Sequence, residues 1–399
     1  VTGPAAAGSF DALWSALEPI GRDGRTGGYR RFAWTETDAL LRDWFADAAA
    51  ARGLSCTLDR AGNQWAWLGD PDAAPGVAVG SHLDSVPDGG AFDGPLGVVS
   101  AFAALDLLRE RGFAPGRPVG IVHFGDEEGA RFGVACAGSR LLTGALAADR
   151  ALGLRDDDGT NYADALDRHG LSAAALGRDD AALRRIAAFV ELHVEQGRGL
   201  VELDQAVGVA SGIRPHGRWR IELPGAADHA GTTRLADRRD ALLAAAHVVL
   251  AARAAAERHA AVATCGKVRV HPNGVNAIPA HVTLWLDARA AHDEQVHAVV
   301  ADVQDTAVAL GGTLTPESWS DATTFPDAGR IAALLGGAPV LDTGAGHDAG
   351  VLAQAGVPTA MLFVRNPTGV SHAPTEHAEH ADCIAGVAAL ATVVASLAG

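Results

Sequence analysis

The stretch GVAVGSHLDSVPDGGAFDG, residues 76–94, decides how the rest of the chain is read. Its first five residues are small and apolar and are bounded by prolines and glycines, which predicts a strand over 76–80. Ordinary turn residues are expected at the end of such a strand. The chain places Ser81, His82, Leu83 and Asp84 there instead and, past a glycine-rich turn, Asp93. In open α/β sheets ligands bind outside the carboxyl ends of the strands. Imidazole and carboxylate groups at that position are therefore candidates for chemistry.

The same pattern recurs. The run VGIVHF (119–124) leads into Gly125-Asp126-Glu127-Glu128-Gly129, and IAAFV (186–190) leads into Glu191-Leu192-His193-Val194-Glu195-Gln196-Gly197. PTAMLFV (358–364) leads towards Gly369-Val370-Ser371-His372. Helical spacing of apolar residues over 96–111 separates the first two runs. This βαβ rhythm predicts an α/β domain whose mixed, mostly parallel sheet is covered by helices. Its decorated strand ends would converge on one crevice.

The rhythm changes after Ser211. Residues 218–223 alternate as a strand, 240–259 are helical, 266–270 and 281–287 read as two strands, and 293–310 as a second helix. That order, β-α-β-β-α, is close to a ferredoxin-like split βαβ unit. Residues 339–341 return to the α/β style. The expected organisation is a catalytic domain in two parts, 1–210 and 326–399, interrupted by an inserted α+β domain at 211–325. Residues 156–180 are polar and glycine-punctuated and read as a loop with short helices.

Composition narrows the function classes. A formal net charge of −16 argues against nucleic acid and anionic membranes as partners. An anionic small molecule can still bind such a protein where arginines line the pocket. Cys56, Cys136, Cys265 and Cys383 are far apart and form no C-x-x-C pair, so neither a disulfide framework nor a thiolate metal site is expected. A reducing cytoplasm is the expected location. Residues 1–10 lack the basic start and apolar core of a signal peptide. The nearest approach to a membrane span is residues 384–398, which read as a buried C-terminal helix. The chain carries no G-x-S-x-G, no Walker A sequence, no G-x-G-x-x-G after a strand and no H-E-x-x-H.

Imidazole and carboxylate without thiolate suit Zn, Mn, Co or Ni. His82, Asp93, Glu128, His193 and His372 are thus the candidate ligands of a hydrolytic site with two divalent ions. A carboxylate on the short loop after His82 could bridge ions roughly 3.5–4 Å apart, a pair that acidifies water and polarises a carbonyl. Glu127, beside Glu128, is left to act as general base. Asp84 is expected to accept the second ring N–H of His82 and fix its tautomer.

The motifs GSHLDSVPDGGAFDGPLGV, FGDEEGARFG, ELHVEQG, HAGTT, HPNGVNAIP, GAGHDAG and GVSHAPTEH together resemble the M20 metallopeptidase family. More narrowly, they resemble its branch of N-carbamoyl-L-amino-acid hydrolases and allantoate amidohydrolases. The resemblance spans about residues 80–377. It implies one ion held by His82, Asp93 and His193 and another by Asp93, Glu128 and His372, with Asp93 bridging and Glu127 as the base. A histidine at His193, where peptidases of the wider family usually carry a carboxylate, points to the carbamoylase branch. The inserted domain would be a lid and the contact of a homodimer. His229 would polarise the scissile carbonyl. Gln196, Asn276 and Arg289 would hold a small anionic substrate, the last two at its carboxylate, and His347 would face the site. A guanidinium at Arg289 can grip a carboxylate bidentately.

Two departures bear on the pocket. The branch commonly reads HAGTTPM, and here Arg234 and Leu235 follow Thr233. Arg365-Asn366-Pro367-Thr368 stands where a stretch rich in serine and glycine is expected. The expected reaction is hydrolysis of a linear C–N bond in allantoate or an N-carbamoyl-L-amino acid. An N-formyl amino acid, an aminoacylase or dipeptidase substrate, and an inactive metal-binding scaffold are the alternatives.

Overall fold

The chain divides into two compact units, Val1–Gly212 with Thr324–Gly399, and Ile213–Thr323. The computed structural model describes residues 4–399. Residues 1–3, and with them the start of the segment read above over 1–10, lie outside the described residues.

The first unit is built on a nine-stranded sheet. Its centre is four parallel strands in the order Val119–Phe124, Gly76–His82, Ile186–Val194 and Thr359–Val364. Antiparallel strands flank them: Gln64–Leu68 and then Ser55–Leu58 on one side, Val207–Ile213 on the other. Most central positions are buried, as parallel strands covered on both faces require. Register sets the site. His82 pairs with Phe124 and Val364 with Val194, so the carboxyl ends of these strands lie level.

Helices Pro95–Glu110 and His380–Ala398 pack against this sheet and against each other. Leu96, Val99, Phe102 and Leu107 of the first meet the same core as Ile384, Val387, Leu390 and Val394 of the second. Each such side chain contributes about 1.5–3 kcal/mol when fully buried. His380–Ala398 is long and apolar enough by length and composition to cross a bilayer. Its apolar residues are instead buried in the protein core, as expected for residues 384–398. Residues 156–180 form the short helices Tyr162–Arg168 and Ala173–Ala175 with turns between.

Two expectations change. The strand expected over 186–190 continues to Val194, and that over 76–80 continues to His82. Ladder pairs such as Phe363–His193 hold the polar ends in the sheet, so His82 and His193 sit on strands rather than loops. The sequence reading also passed over the helices Pro4–Leu17 and Glu36–Ala50 and the three flanking strands. Thr35 starts the second of these helices by accepting from the Asp38 N–H.

The second unit has a four-stranded antiparallel sheet, ordered Thr313–Ser320, His216–Pro224, His281–Arg289, Val262–His271. Helices Ala241–Arg258 and Asp293–Ala309 pack together over it. Val248, Ala252, Val299 and Val303 meet Ile221, Leu223, Leu284 and Leu286. The first helix is capped by the Asp240 side chain, which accepts from Leu242 and Leu243 N–H. Thr313–Ser320 completes β-α-β-β-α-β, a ferredoxin-like unit. This last strand is polar, carries Pro316 and shifts register between Pro316 and Ser318, which is tolerable at a sheet edge.

Candidate metal centre

His82 and His193 end adjacent parallel strands and are both fully buried. The Nδ1 of His82 lies 3.1 Å from the Asp84 carbonyl, and that of His193 2.9 Å from the Val194 carbonyl. A ring nitrogen facing a carbonyl is the N–H donor, so each tautomer is set and Nε2 is turned inward. Both buried Nε2 atoms lack a hydrogen-bond partner. They lie 3.5 and 3.2 Å from Asp93 Oδ1. Gly94, at φ +83°, makes this possible. A Cβ there would stand 2.4 Å from His82 Cε1.

The other oxygen of Asp93 faces a second set. His372 Nε2 is 3.5 Å from Asp93 Oδ2 and 3.5 Å from Glu128 Oε2. The structure thus brings His82, Asp93 and His193 together as one donor group and Asp93, Glu128 and His372 as another. A third grouping, Glu191 with His193 and His347, shares His193. There the Glu191 oxygens already accept from Ser81 Oγ at 2.7 Å and Ala349 N–H at 2.9 Å. We read Glu191 as a brace between strands, not a ligand.

Glu127 belongs to none of these donor groups. Its Oε2 is 3.7 Å from His82 Nε2, and its Oε1 accepts from the Cys136 thiol at 3.1 Å. Asp84 departs from expectation. The nearest acceptor to the His82 ring is its carbonyl, while its carboxylate Oδ1 lies 3.5 Å away. That carboxylate instead accepts the backbone N–H of Glu127 at 3.1 Å and of Glu128 at 3.0 Å. It fixes the loop that presents both glutamates, because two N–H groups in one turn outcompete a single ring N–H.

The electrostatics suit cations. Burial raises Glu128 well above the usual carboxylate range, and the Asp93 and Glu127 charges raise it further. Burial pushes Glu127 up to about 7, with His82 opposing and Asp84 adding. Burial opposes charge on His193, yet Asp93 beside it holds its pKa at about 9. Burial likewise opposes charge on His82, but Glu127, Asp84 and Asp93 outweigh it. Crowded acids that resist ionisation and imidazoles that cling to protons are relieved together when a cation enters. Two unpartnered Nε2 atoms on one carboxylate oxygen fit the N/O donor chemistry of Zn, Mn, Co or Ni.

The remaining candidates are placed as follows. Gln196 donates from Nε2 to Asp93 Oδ2 at 2.8 Å, and its buried Oε1 has no partner. His347 is buried, its ring 4.4 Å from that of His193. In the inserted unit, His229 is exposed; its Nδ1 accepts from Gly231 N–H at 3.0 Å, which makes Nε2 the donor. Asn276 is exposed nearby, its carbonyl accepting from Ala230 N–H at 3.0 Å. Arg289 is held bidentately by Asp287, at 2.7 and 2.9 Å, which fixes the guanidinium plane.

The two departures have structural explanations. Arg365 pairs with both oxygens of Asp382 and with Asp204, and Asn366 Oδ1 caps the turn through Thr368 and Gly369 N–H. These residues build the loop before His372. Arg234 pairs with Asp237, and Leu235 is exposed. Sequence reading missed Ser371, Glu376, Glu191 and Cys136. Ser371 and Glu376 lie in the quoted motif GVSHAPTEH and Glu191 opens ELHVEQG, whereas Cys136 lies in no quoted motif.

Fold and donor set together define a metallohydrolase. The chain belongs to the peptidase family M20/M25/M40, whose profile matches residues 78–396. It is 35% identical to an N-carbamoyl-L-amino acid amidohydrolase of Geobacillus stearothermophilus, over 97% of this chain and 98% of that protein. It is 32% identical to an allantoate amidohydrolase of Escherichia coli, over 96% of each. The solved structure of an amidase of the hydantoinase/carbamoylase family from Burkholderia vietnamiensis superposes with a TM-score of 0.91. That match has 32% identity and covers 98% of this chain and 97% of the other.

Proposed function

We propose that this protein is an amidohydrolase with two divalent ions, cleaving a linear C–N bond in a ureido acid: an N-carbamoyl-L-amino acid or allantoate. The observation that carries this is the division of Asp93, with Oδ1 facing His82 and His193 and Oδ2 facing His372. His82, Asp93 and His193 would hold one ion, and Asp93, Glu128 and His372 the other. When bound, such ions supply Lewis acidity towards a carbonyl and acidify water.

The protein's own groups do the rest. Glu127 is anchored through its N–H by Asp84 and through Oε1 by Cys136, which leaves Oε2 towards the site. It takes a proton from the attacking water and returns it to the leaving nitrogen. A glutamate braced at one oxygen and open at the other can serve both steps. By resemblance alone, His229 is proposed for the developing oxyanion and Asn276 and Arg289 for the substrate carboxylate. Gln196 and His347 are proposed for further substrate contacts on the same ground.

The ureido class rests on the full-length similarity to relatives bearing those names and on an imidazole at His193. A homodimer through the inserted unit is part of the proposal. Its edge strand Val262–His271 and the neighbouring helix expose Val262, Val268, Leu243 and Leu250. The test is a substrate panel on metal-reconstituted protein: N-carbamoyl-L-amino acids, allantoate, N-formyl amino acids and dipeptides. Ureido acids should lead by at least about a hundredfold in kcat/KM, the scale of discrimination that a polar site built for its substrate exceeds. Faster turnover of dipeptides or formyl acids would overturn the substrate class. Full metal content without any hydrolysis would overturn the enzyme reading.

A further inference from the structure

We infer that Glu376 is a positioning residue that clasps the loop bearing His372 to the loop bearing Asp93 and so sets occupancy of the outer ion position. The inference rests on the two-ion reading above. Glu376 is 4% exposed. Its Oε1 accepts two backbone N–H groups, those of Phe92 and Asp93, each at 2.9 Å. Its Oε2 lies 3.2 Å from Ser371 Oγ, and that hydroxyl lies 2.9 Å from Asp93 Oδ2.

A buried carboxylate always needs donors, and satisfying it is the ordinary reason for such bonds. Here every donor belongs to a metal-ligand candidate or its immediate neighbour: Phe92 and Asp93 on one loop, Ser371 beside His372 on the other. The packing is made to measure. At Gly90 a Cβ would stand 2.4 Å from the Glu376 Cβ and 2.4 Å from its Oε1, so only glycine leaves room.

The two halves of the centre are held differently. His82 and His193 have fully buried side chains on paired strands, each locked by a carbonyl. The His372 side chain is 49% exposed and sits on a loop, with φ +57°. The strands therefore secure the two inner imidazoles, while Asp93, shared by both donor groups, rests on its loop. The outer donors depend on the His372 loop staying against Asp93, and Glu376 ties it there together with the Ser371 Oγ–Asp93 Oδ2 contact. Losing partners behind a ligand typically weakens metal binding by about 10–100-fold.

The experiment measures zinc per full-length chain by elemental analysis across zinc-buffered solutions. Wild type should take two ions. Glu376→Ala should weaken the second ion about 10–100-fold and the first, which keeps both strand-held imidazoles, clearly less. Glu376→Gln should fall between, because its amide oxygen still serves the two N–H groups. If the alanine variant does not fold, Glu376→Gln and Gly90→Ala carry the same test, the latter by pushing the carboxylate aside. Two ions bound as in wild type by every folded variant would overturn the inference alone. Equal loss of both ions would overturn it too. A wild type that never takes a second ion would overturn the two-ion reading beneath it, and the inference with it.

Discussion

Replacing Gly94 with alanine should damage the metal centre while leaving the fold largely in place. The new Cβ would stand 2.4 Å from His82 Cε1, 2.5 Å from Nδ1 and 2.6 Å from Nε2. Carbon contacts prefer 3.5–4.0 Å, so the ring must withdraw by about 1 Å. It has little freedom to do so, being fully buried and bound through Nδ1 to the Asp84 carbonyl. Alanine at φ +83° adds about 1–2 kcal/mol of backbone strain. A misplacement of about 1 Å costs on the order of a hundredfold in rate, or about 2.7 kcal/mol of barrier. Expected, then, are zinc affinity of the His82–Asp93–His193 group lowered 10-fold or more, kcat/KM on an N-carbamoyl amino acid down about a hundredfold, and a modest drop in Tm. Zinc-buffered titration, steady-state kinetics and calorimetry read these in turn. A variant with wild-type zinc affinity and kcat/KM would refute the assignment of His82 Nε2 to the metal.

Three further outcomes follow from the same geometry. Glu127→Gln should keep full metal content, because Glu127 is outside the donor groups, and lower kcat by about 10²–10⁴; near-normal turnover would remove it as the base. Zinc affinity should climb with pH through the range up to about 9. The metal-free His193 has its pKa at about 9, so below that a proton competes for Nε2. Calorimetry in two buffers of different ionisation enthalpy would reveal the released proton at pH 8 as a difference in observed heat, and identical observed heats in both buffers would contradict it. The sign reverses for stability without metal. A histidine pKa raised from 6.5 favours the folded state fully below 6.5, and that contribution fades as pH rises through 9.

The parallel core was legible because its strands are apolar runs with abrupt polar ends, and Val119–Phe124 shows this most cleanly. The donors were legible for the same reason: imidazole and carboxylate at strand exits are out of place as turn residues. What stayed hidden depends on contacts between distant segments. Thr313–Ser320 has neither alternation nor apolar content, since an edge strand with Pro316 needs neither. Glu376 looks like any loop acid until Phe92 and Asp93 are found against it. Asp84 was assigned to a ring neighbour two residues away, when its carboxylate serves a loop more than forty residues on.

The place of Thr359–Val364 in the sheet has a consequence for how the protein is made. This strand is translated after the whole inserted unit, yet it lies between Ile186–Val194 and Val207–Ile213. A nascent chain with His82, Asp93, Glu128 and His193 already synthesised still has a gap in its sheet and lacks His372. At 5–20 residues per second the ribosome needs on the order of ten to forty seconds to reach that last donor. Over that interval Ile186–Val194, and Val207–Ile213 once it is made, lack the partner that Thr359–Val364 later supplies, and so leave strand edges exposed to mispairing.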